Sequence, residues 1–355
     1  MAAEVLERSI SIHNEQLRML QQDVWSERYV PAVMTVNGRK YDIQLRYRGG
    51  HTREYPKRSY EVIRGGRTYH YNAEFDDPSL IRNALSFRFF EWLKVPAPKT
   101  KHCLLYLNGR NLGVYLELEG VDRTFFRRRG IRMQALFYGV NDNANFSLLA
   151  PESNQPKASL MAGYQHMVGT ADDRRKLVRF IRRLNTGSSK DRMLALYLRR
   201  RLDIDNYLRW LAGAVFTGNY DGFEQNYALY RHRPSQKYRI IPWDYEGTWG
   251  RNCFGKPCGS DLVSVKGYNE LTRRLLRSPA VMEQYKELLE TTLENHFTVR
   301  KIIPVAEALH SAIRPHVARD TERKWSFSTF DDEVDFIEQY VKERRRLIAD
   351  AIRRL

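Results

Sequence analysis

The sequence predicts an α+β fold, with a β-rich first third and a mostly helical remainder interrupted by one hairpin. Three observations point there. Three pairs of strand-forming runs each fold over a two-residue turn, amphipathic arginine-rich runs at helical spacing begin near residue 171, and that helical pattern breaks between Gly218 and Gly250. The 355-residue length suits two domains or one two-lobed unit.

Residues 1–30 read as a helical N-terminal segment. It carries charges throughout where a secretory signal needs a continuous apolar stretch, so a cytoplasmic location is the default expectation. The strands AVMTV and YDIQLRY then meet across Asn37-Gly38, SYEVI and TYHY turn at Gly65-Gly66, and HCLLYL and LGVYLEL close over Asn108-Gly109. Such dipeptides tolerate the positive φ that a tight hairpin needs at both central positions. Between the second and third hairpins, Asp76-Asp77-Pro78-Ser79 offers a cap and an early proline to the helix LIRNALSFRFFEWL, which stops ahead of Pro96 and Pro98. These elements place a β-rich portion at 31–140. Segment 141–170 is rich in Asn, Ser, Pro and Gly without a sustained period, and is expected to be a flexible connection or insertion marking the domain boundary. Residues 171–355 form the helical portion, with two or three helices through LDIDNYLRWLAGAVF and more from about 270 to the end.

Composition narrows the function classes. With 42% apolar and 28% charged residues and no run of ~18 unbroken apolar residues, a membrane span is not expected. Three cysteines cannot make a disulfide framework, and the gap between Cys253 and Cys258 lacks the second ligand pair of a zinc site. The net charge of +17 favours anionic partners: nucleotides, nucleic acid, acidic proteins or anionic membranes. Much of it lies in the runs 174–184, 197–202 and 342–355, read first as solvated helix faces and second as docking surfaces.

The stretch TGNYDGFEQNYALYRHRPSQKYRIIPWDYEGTWG, residues 217–250, is the most informative. Asp221 is followed five positions later by Asn226, then a hairpin, then Asp244 and Glu246. Protein kinases use that layout: a loop Asp orients the attacking hydroxyl, the Asn five residues on binds a metal, and the Asp after the next hairpin binds the Mg²⁺ that bridges the phosphates. An apolar strand that delivers two carboxylates into a glycine-flanked loop adds weight, because carboxylates out of water call for a cation. The competing reading is that Asp244 and Glu246 cap a turn or pair with arginines. Upstream, YRGGHTREYPKRSYEV, residues 47–62, places Gly49-Gly50 among Arg48, Arg53, Lys57 and Arg58. Backbone N–H groups and four cations suit a polyphosphate there, and a plain turn is the alternative.

The strings RYRGGHTREYPKRSYEV, NAEFDDPSLIRNALSF, LYLNGRNLGVYLELEGVD, the Asp-to-Asn loop and IIPWDYEGTWG occur in the order of the recurring blocks of the CotH family of atypical, spore-coat protein kinases. The resemblance spans residues 45–250. It implies a protein-kinase-like two-lobed fold, ATP, Mg²⁺ or Mn²⁺, and phosphorylation of protein Ser/Thr hydroxyls, with autophosphorylation open. Position by position, it implies a catalytic role for Asp221, metal binding by Asn226, Asp244 and Glu246, and phosphate contact by Lys57 with Arg53 as helper. It further implies an adenine-side role for Glu119 and, for Glu74, orientation of the phosphate-binding cation. The chain departs from the family at Gly50-His51-Thr52-Arg53 and at Glu246, one methylene longer than the usual Asp. The alternatives are nucleotidyl transfer to protein by the same cleft, or a catalytically inactive nucleotide- or nucleic-acid-binding scaffold. Nucleic acid is the less favoured partner.

Overall fold

The computed structural model describes residues 5–186 and 192–355. In chain order the elements are β1 (Leu6–Ser11), α1 (Asn14–Gln22), β2 (Val30–Val36), β3 (Arg39–Arg48), β4 (Ser59–Arg64), β5 (Arg67–Asn72), α2 (Arg82–Trp92), β6 (Thr100–Leu107), β7 (Arg110–Glu119), α3 (Arg123–Arg128) and β8 (Met133–Gly139). They continue with β9 (Tyr164–Val168), α4 (Ala171–Thr186), α5 (Arg192–Arg201), α6 (Ile204–Thr217), β10 (Tyr227–His232), β11 (Tyr238–Pro242), α7 (Glu270–Leu275), α8 (Pro279–Asn295), α9 (Val299–Val317), α10 (Phe327–Asp331) and α11 (Glu333–Ile352). The fold is mixed α+β. It divides into a barrel unit, made of residues up to Leu85, Pro98–Phe125 and Ile303–Phe336, and a helical unit, made of Ser86–Ala97, Phe126–Ile302 and Ile337–Leu355.

In the barrel unit seven strands pair in the order β1-β2-β3-β4-β5-β7-β6 and close through a parallel β6–β1 contact. The three expected hairpins are present. Asn37, Gly38, Gly65, Gly66, Asn108 and Gly109 all have positive φ, as two-residue turns matched to strand twist require. Ile10, Met34, Leu45, Val62, Tyr71, Cys103 and Leu105 fill the interior with no more than 2% exposure. The closing strand β1 corrects the expectation of an all-helical N-terminal segment. Its inward positions are Arg8 and Ile10, and Arg8 is neutralised by Glu117 of β7 at 2.6 Å. An inward arginine conceals the alternation by which a strand is recognised.

In the helical unit a four-stranded sheet, ordered β11-β10-β8-β9, accompanies the helices. Segment 141–170 lies wholly inside this unit and is no boundary, so the division expected there is corrected. It is pinned rather than slack. Asn141 accepts from the Asn143 N–H, β9 pairs with β8, and the Lys157 ammonium bonds the Asn143 and Ser147 carbonyls and Asn145 Oδ1 at 2.6–3.0 Å. Helix α6 starts at Asp203, which accepts from the Asn206 N–H, and ends at Gly218 with φ +71. The solvated-face reading holds for α4, which buries Leu177, Phe180, Ile181 and Leu184 and leaves Arg174, Arg175, Arg179 and Arg182 exposed. It fails at Arg344 of α11, which is buried and donates to the Val215 and Ser260 carbonyls. Among the described residues no helix is long and apolar enough to cross a membrane.

Candidate active site

In the helical unit, α6 ends at Gly218 and releases residues 219–226 toward the hairpin β10–β11. Tyr227 and Pro242 are its outermost pair, so Asn226 and Trp243 flank its open end, where the Trp243 N–H donates to the Asn226 carbonyl at 3.1 Å. Asn226 and Asp244 have φ of +57° and +58°, left-handed values that non-glycine residues hold at a cost of order 1–3 kcal/mol and that cluster at functional sites. Asn219 Nδ2 reaches the Asp244 carbonyl at 3.3 Å and ties the head of the loop to the second acid. Tyr245 is wholly buried, packed edge-on against Phe90 at 5.0 Å, while Asp244 and Glu246 on either side stay partly exposed. The buried indole of Trp249 then anchors the segment, its Nε1 donating to Ser86 Oγ and its backbone N–H to the Thr217 carbonyl.

Asp221 and Glu246 converge on Cys253. Burial first, then the Asp221 carboxylate that accepts its hydrogen bond and the charge of Glu246, push the Cys253 thiol up to about 12. The thiol therefore stays protonated and serves as a donor to Asp221. Glu224, between Asp221 and Asn226, is raised above the usual carboxylate value by burial and by Asp142, against the pull of Lys157. Lys157 in turn is lowered to about 8, chiefly by burial, which Asp142 and Glu224 oppose. Neither Cys253 nor Lys157 marks itself in the sequence as a partner of this loop, since one reads only as half of an incomplete zinc pair with Cys258 and the other lies in the segment expected to be flexible.

In the barrel unit, Lys57 is 4% exposed and its Nζ lies 2.6 Å from Asp320 Oδ2. Burial lowers the lysine from its ordinary value and Asp320 opposes that shift. Asp320 also accepts the Val114 N–H at 3.2 Å and the Glu322 N–H at 2.9 Å. Gly113 has φ +86°, and a Cβ there would come within 2.0 Å of Asp320 Oδ2, so the carboxylate needs a glycine in β7. A lone glycine inside a strand pattern was the sequence signal for this approach, although it could not name Asp320.

The other expected residues of this unit have partners within the fold. Glu74, assigned to orient the cation, is 2% exposed and accepts from Asn83 Nδ2 with both oxygens at 3.1 Å, while the carboxylate bonded to Lys57 is Asp320. Glu74 and Lys57 nonetheless line one cavity of about 20 Å³, room for about one water. Arg53 donates to the Gly49 and Trp25 carbonyls and pairs with Glu27 at 2.6 Å, so it braces the glycine loop, and gripping a phosphate would require it to give up these bonds. Glu119 ends β7, bonded to Lys99 through backbone and side chain.

Among the described residues no three His, Cys, Asp or Glu side chains form a group able to hold a metal ion. Asp244, Glu246 and the Asn226 amide are hard oxygen donors. They fit a cation such as Mg²⁺ that takes the rest of its shell from phosphate and water, and do not fit an all-protein cage.

Comparison with known proteins shows the family. Residues 45–348 match the family described as CotH kinase protein. The chain is 42% identical over 346 residues to inner spore coat protein H of Bacillus subtilis, covering 96% of this chain and 95% of that protein. It is 26% identical over 304 residues to an inner spore coat protein H-like protein of the same organism, covering 84% and 87%. Among solved structures it is similar to the Helicobacter pylori proinflammatory kinase CtkA, with 9% identity, TM-score 0.36 and coverage of 86% of this chain and 92% of that one. It is also similar to a chain of the Shewanella oneidensis HipA, HipB and operator DNA complex, with 12% identity, TM-score 0.38 and coverage of 100% and 76%. Likenesses this slight carry no argument about the fold. The match to the family and to its spore-coat relative spans nearly the whole sequence, and the chain belongs to the CotH kinase protein family.

Proposed function

We propose that the protein is a kinase-like, two-lobed phosphotransferase that uses ATP and Mg²⁺ or Mn²⁺ to phosphorylate Ser or Thr hydroxyls of a coat protein. The observation that carries this reading is the arrangement within the helical unit: Asn226 and Asp244 flank one hairpin end in left-handed conformations, and Asp221 accepts the hydrogen bond of the Cys253 thiol, which also feels the charge of Glu246. A hairpin that returns the chain in this way gives an acid, an amide and a second acid in the order phosphoryl transfer uses. Asp221 orients the acceptor hydroxyl, and the Cys253 thiol holds its carboxylate in place. Asp244, Asn226 and Glu246 hold the metal, which when bound neutralises phosphate charge. Lys57, oriented by Asp320, contacts the phosphates, and Glu119 serves the adenine side.

The test is incubation of the purified protein with ATP labelled at the γ- or the α-phosphate, with Mg²⁺ or Mn²⁺, followed by detection of self-labelling and of label on coat protein. Label from the γ-position alone is the expected result. Retention of α-label would instead mean nucleotidyl transfer. Silence in both, with salt-sensitive RNA binding that needs neither ATP nor metal, would leave a scaffold.

A further inference from the structure

Beside the proposed catalytic loop the helical unit holds a cavity of about 730 Å³, within the size range of pockets that take small ligands and large enough for a few amino-acid side chains. Glu224, which lies between Asp221 and Asn226, forms part of its wall. The turn 266–270 also lines it, and that turn is built onto the same loop. Asn269, at φ +68°, donates from Nδ2 to the Phe223 carbonyl at 2.7 Å, and the Tyr268 ring packs 5.2 Å from Phe223 and 5.5 Å from Tyr220. Tyr220 is 54% exposed and immediately precedes Asp221. An occupant of the cavity therefore lies against Glu224 and Tyr268, the one within the loop that carries Asp221 and the other packed on it.

The charges on the wall are unequally matched. Glu270 is bonded to Arg273 and Arg274 at 2.5–2.7 Å, and Glu224 faces Lys157 as its counter-charge. Lys266 and Arg277, both exposed on the wall, make no ion pair among the described residues. The surplus charge is positive, and Leu149, Pro151, Leu276 and Met282 contribute apolar wall. Ionic groups next to apolar wall suit an extended peptide better than a free inorganic anion.

We infer that this cavity docks the acceptor polypeptide, receiving an anionic side chain near the acceptor hydroxyl and pairing it with Lys266 and Arg277. The anion is a carboxylate or a phosphoseryl group, the two sharing one chemistry. This inference rests on the kinase reading for its purpose, though the docking itself is measurable without phosphoryl transfer.

The test measures fluorescence anisotropy of labelled serine peptides flanked by Glu, phosphoserine, Ala or Lys, on the full chain without nucleotide. The Glu- or phosphoserine-flanked peptide should bind about tenfold more tightly than the Ala-flanked one, and K266E/R277E should abolish that preference; both positions are exposed, so the variant folds. Whichever of the two binds more tightly identifies the source of the anion. With ATP and metal, the double variant should raise KM for the preferred peptide and leave kcat nearly unchanged, and R277K should retain most of the affinity. Tighter binding of the Lys-flanked peptide, a preference that survives K266E/R277E, or equal binding of a single-stranded RNA of matching charge would overturn the inference. Intact peptide preference with no transfer to any peptide would sink the kinase reading alone.

Discussion

Lys57 in the barrel unit and Lys157 in the helical unit are both drawn out of water, and they are held in opposite ways. Lys57 is sealed in with a formal negative charge, Asp320, at 2.6 Å, and the aspartate is itself fixed by two backbone N–H groups. Lys157 is half-buried and is held by two carbonyls and an amide oxygen, with Asp142 and Glu224 acting only through their fields. A buried ion pair is rigid and fails badly when halved, whereas a lysine among neutral oxygens can shed its proton at modest cost. Lys57 is thus built to persist, and Lys157, which faces Glu224 of the Asp221 loop, is built to respond. The proposed chemistry follows the same division. Asp221, Asn226, Asp244 and Glu246 stay partly exposed on loops, while Lys57 is enclosed.

The largest expected effect lies on the exposed side. Asp221→Asn should lower phosphate transfer by about 10²–10⁴-fold, the usual range for a positioned acid–base group, with nucleotide binding preserved. Transfer at the wild-type rate in a labelled-ATP assay would remove Asp221 from the mechanism. Asp320→Ala should cost about 3–5 kcal/mol in chemical denaturation, because it leaves a buried ammonium alone. A loss under about 1 kcal/mol would show that Lys57 escapes to water, and the contrast between the two lysines would collapse.

How far these residues were legible beforehand follows from how local their partners are. The loop from Asp221 to Glu246 spans a single hairpin, so its residues are near in sequence, and their spacing suggests a common site only together with that hairpin and the ordered family blocks. The three barrel hairpins were equally plain because Asn-Gly and Gly-Gly announce their own geometry. Asp320 lies 263 residues from Lys57, and no local pattern pairs them. β8 was missed because Ala135, Leu136 and Phe137 are all buried, so it shows no alternation, and β1 because Arg8 points inward. The boundary was misplaced because each unit is assembled from three separate chain segments, which composition along the sequence cannot reveal.

Two smaller effects sharpen the comparison. Asp244→Asn tolerates the left-handed backbone and removes one charge, so metal-dependent nucleotide affinity should fall about ten- to a hundredfold by calorimetry. Unchanged titrations would acquit Asp244. Lys157 should show its poise in the pH dependence of stability. Its folded value is about 8 and its unfolded value 10.5, so between these the unfolded chain binds one more proton than the folded. Wild type should then gain stability relative to Lys157→Met as pH rises from 8 to 10.5, with no change in the difference below 8. Melting curves of the two proteins that run parallel across that window would mean that Lys157 keeps its proton.

The discontinuity of the barrel unit has a consequence for how the chain is born. Strand β1 precedes its parallel partner β6 by about a hundred residues, and Asp320 follows Lys57 by 263. Until β6 and β7 are made the barrel has no complete interior, and until Asp320 is made Lys57 lacks its counter-ion. Its contacts are of high sequence separation, so closing it is slow on the scale of local hairpins. Completion of the Lys57 pair therefore waits for the distant segment that carries Asp320, and a chain that stops short of residue 320 carries the Asp221 loop without it.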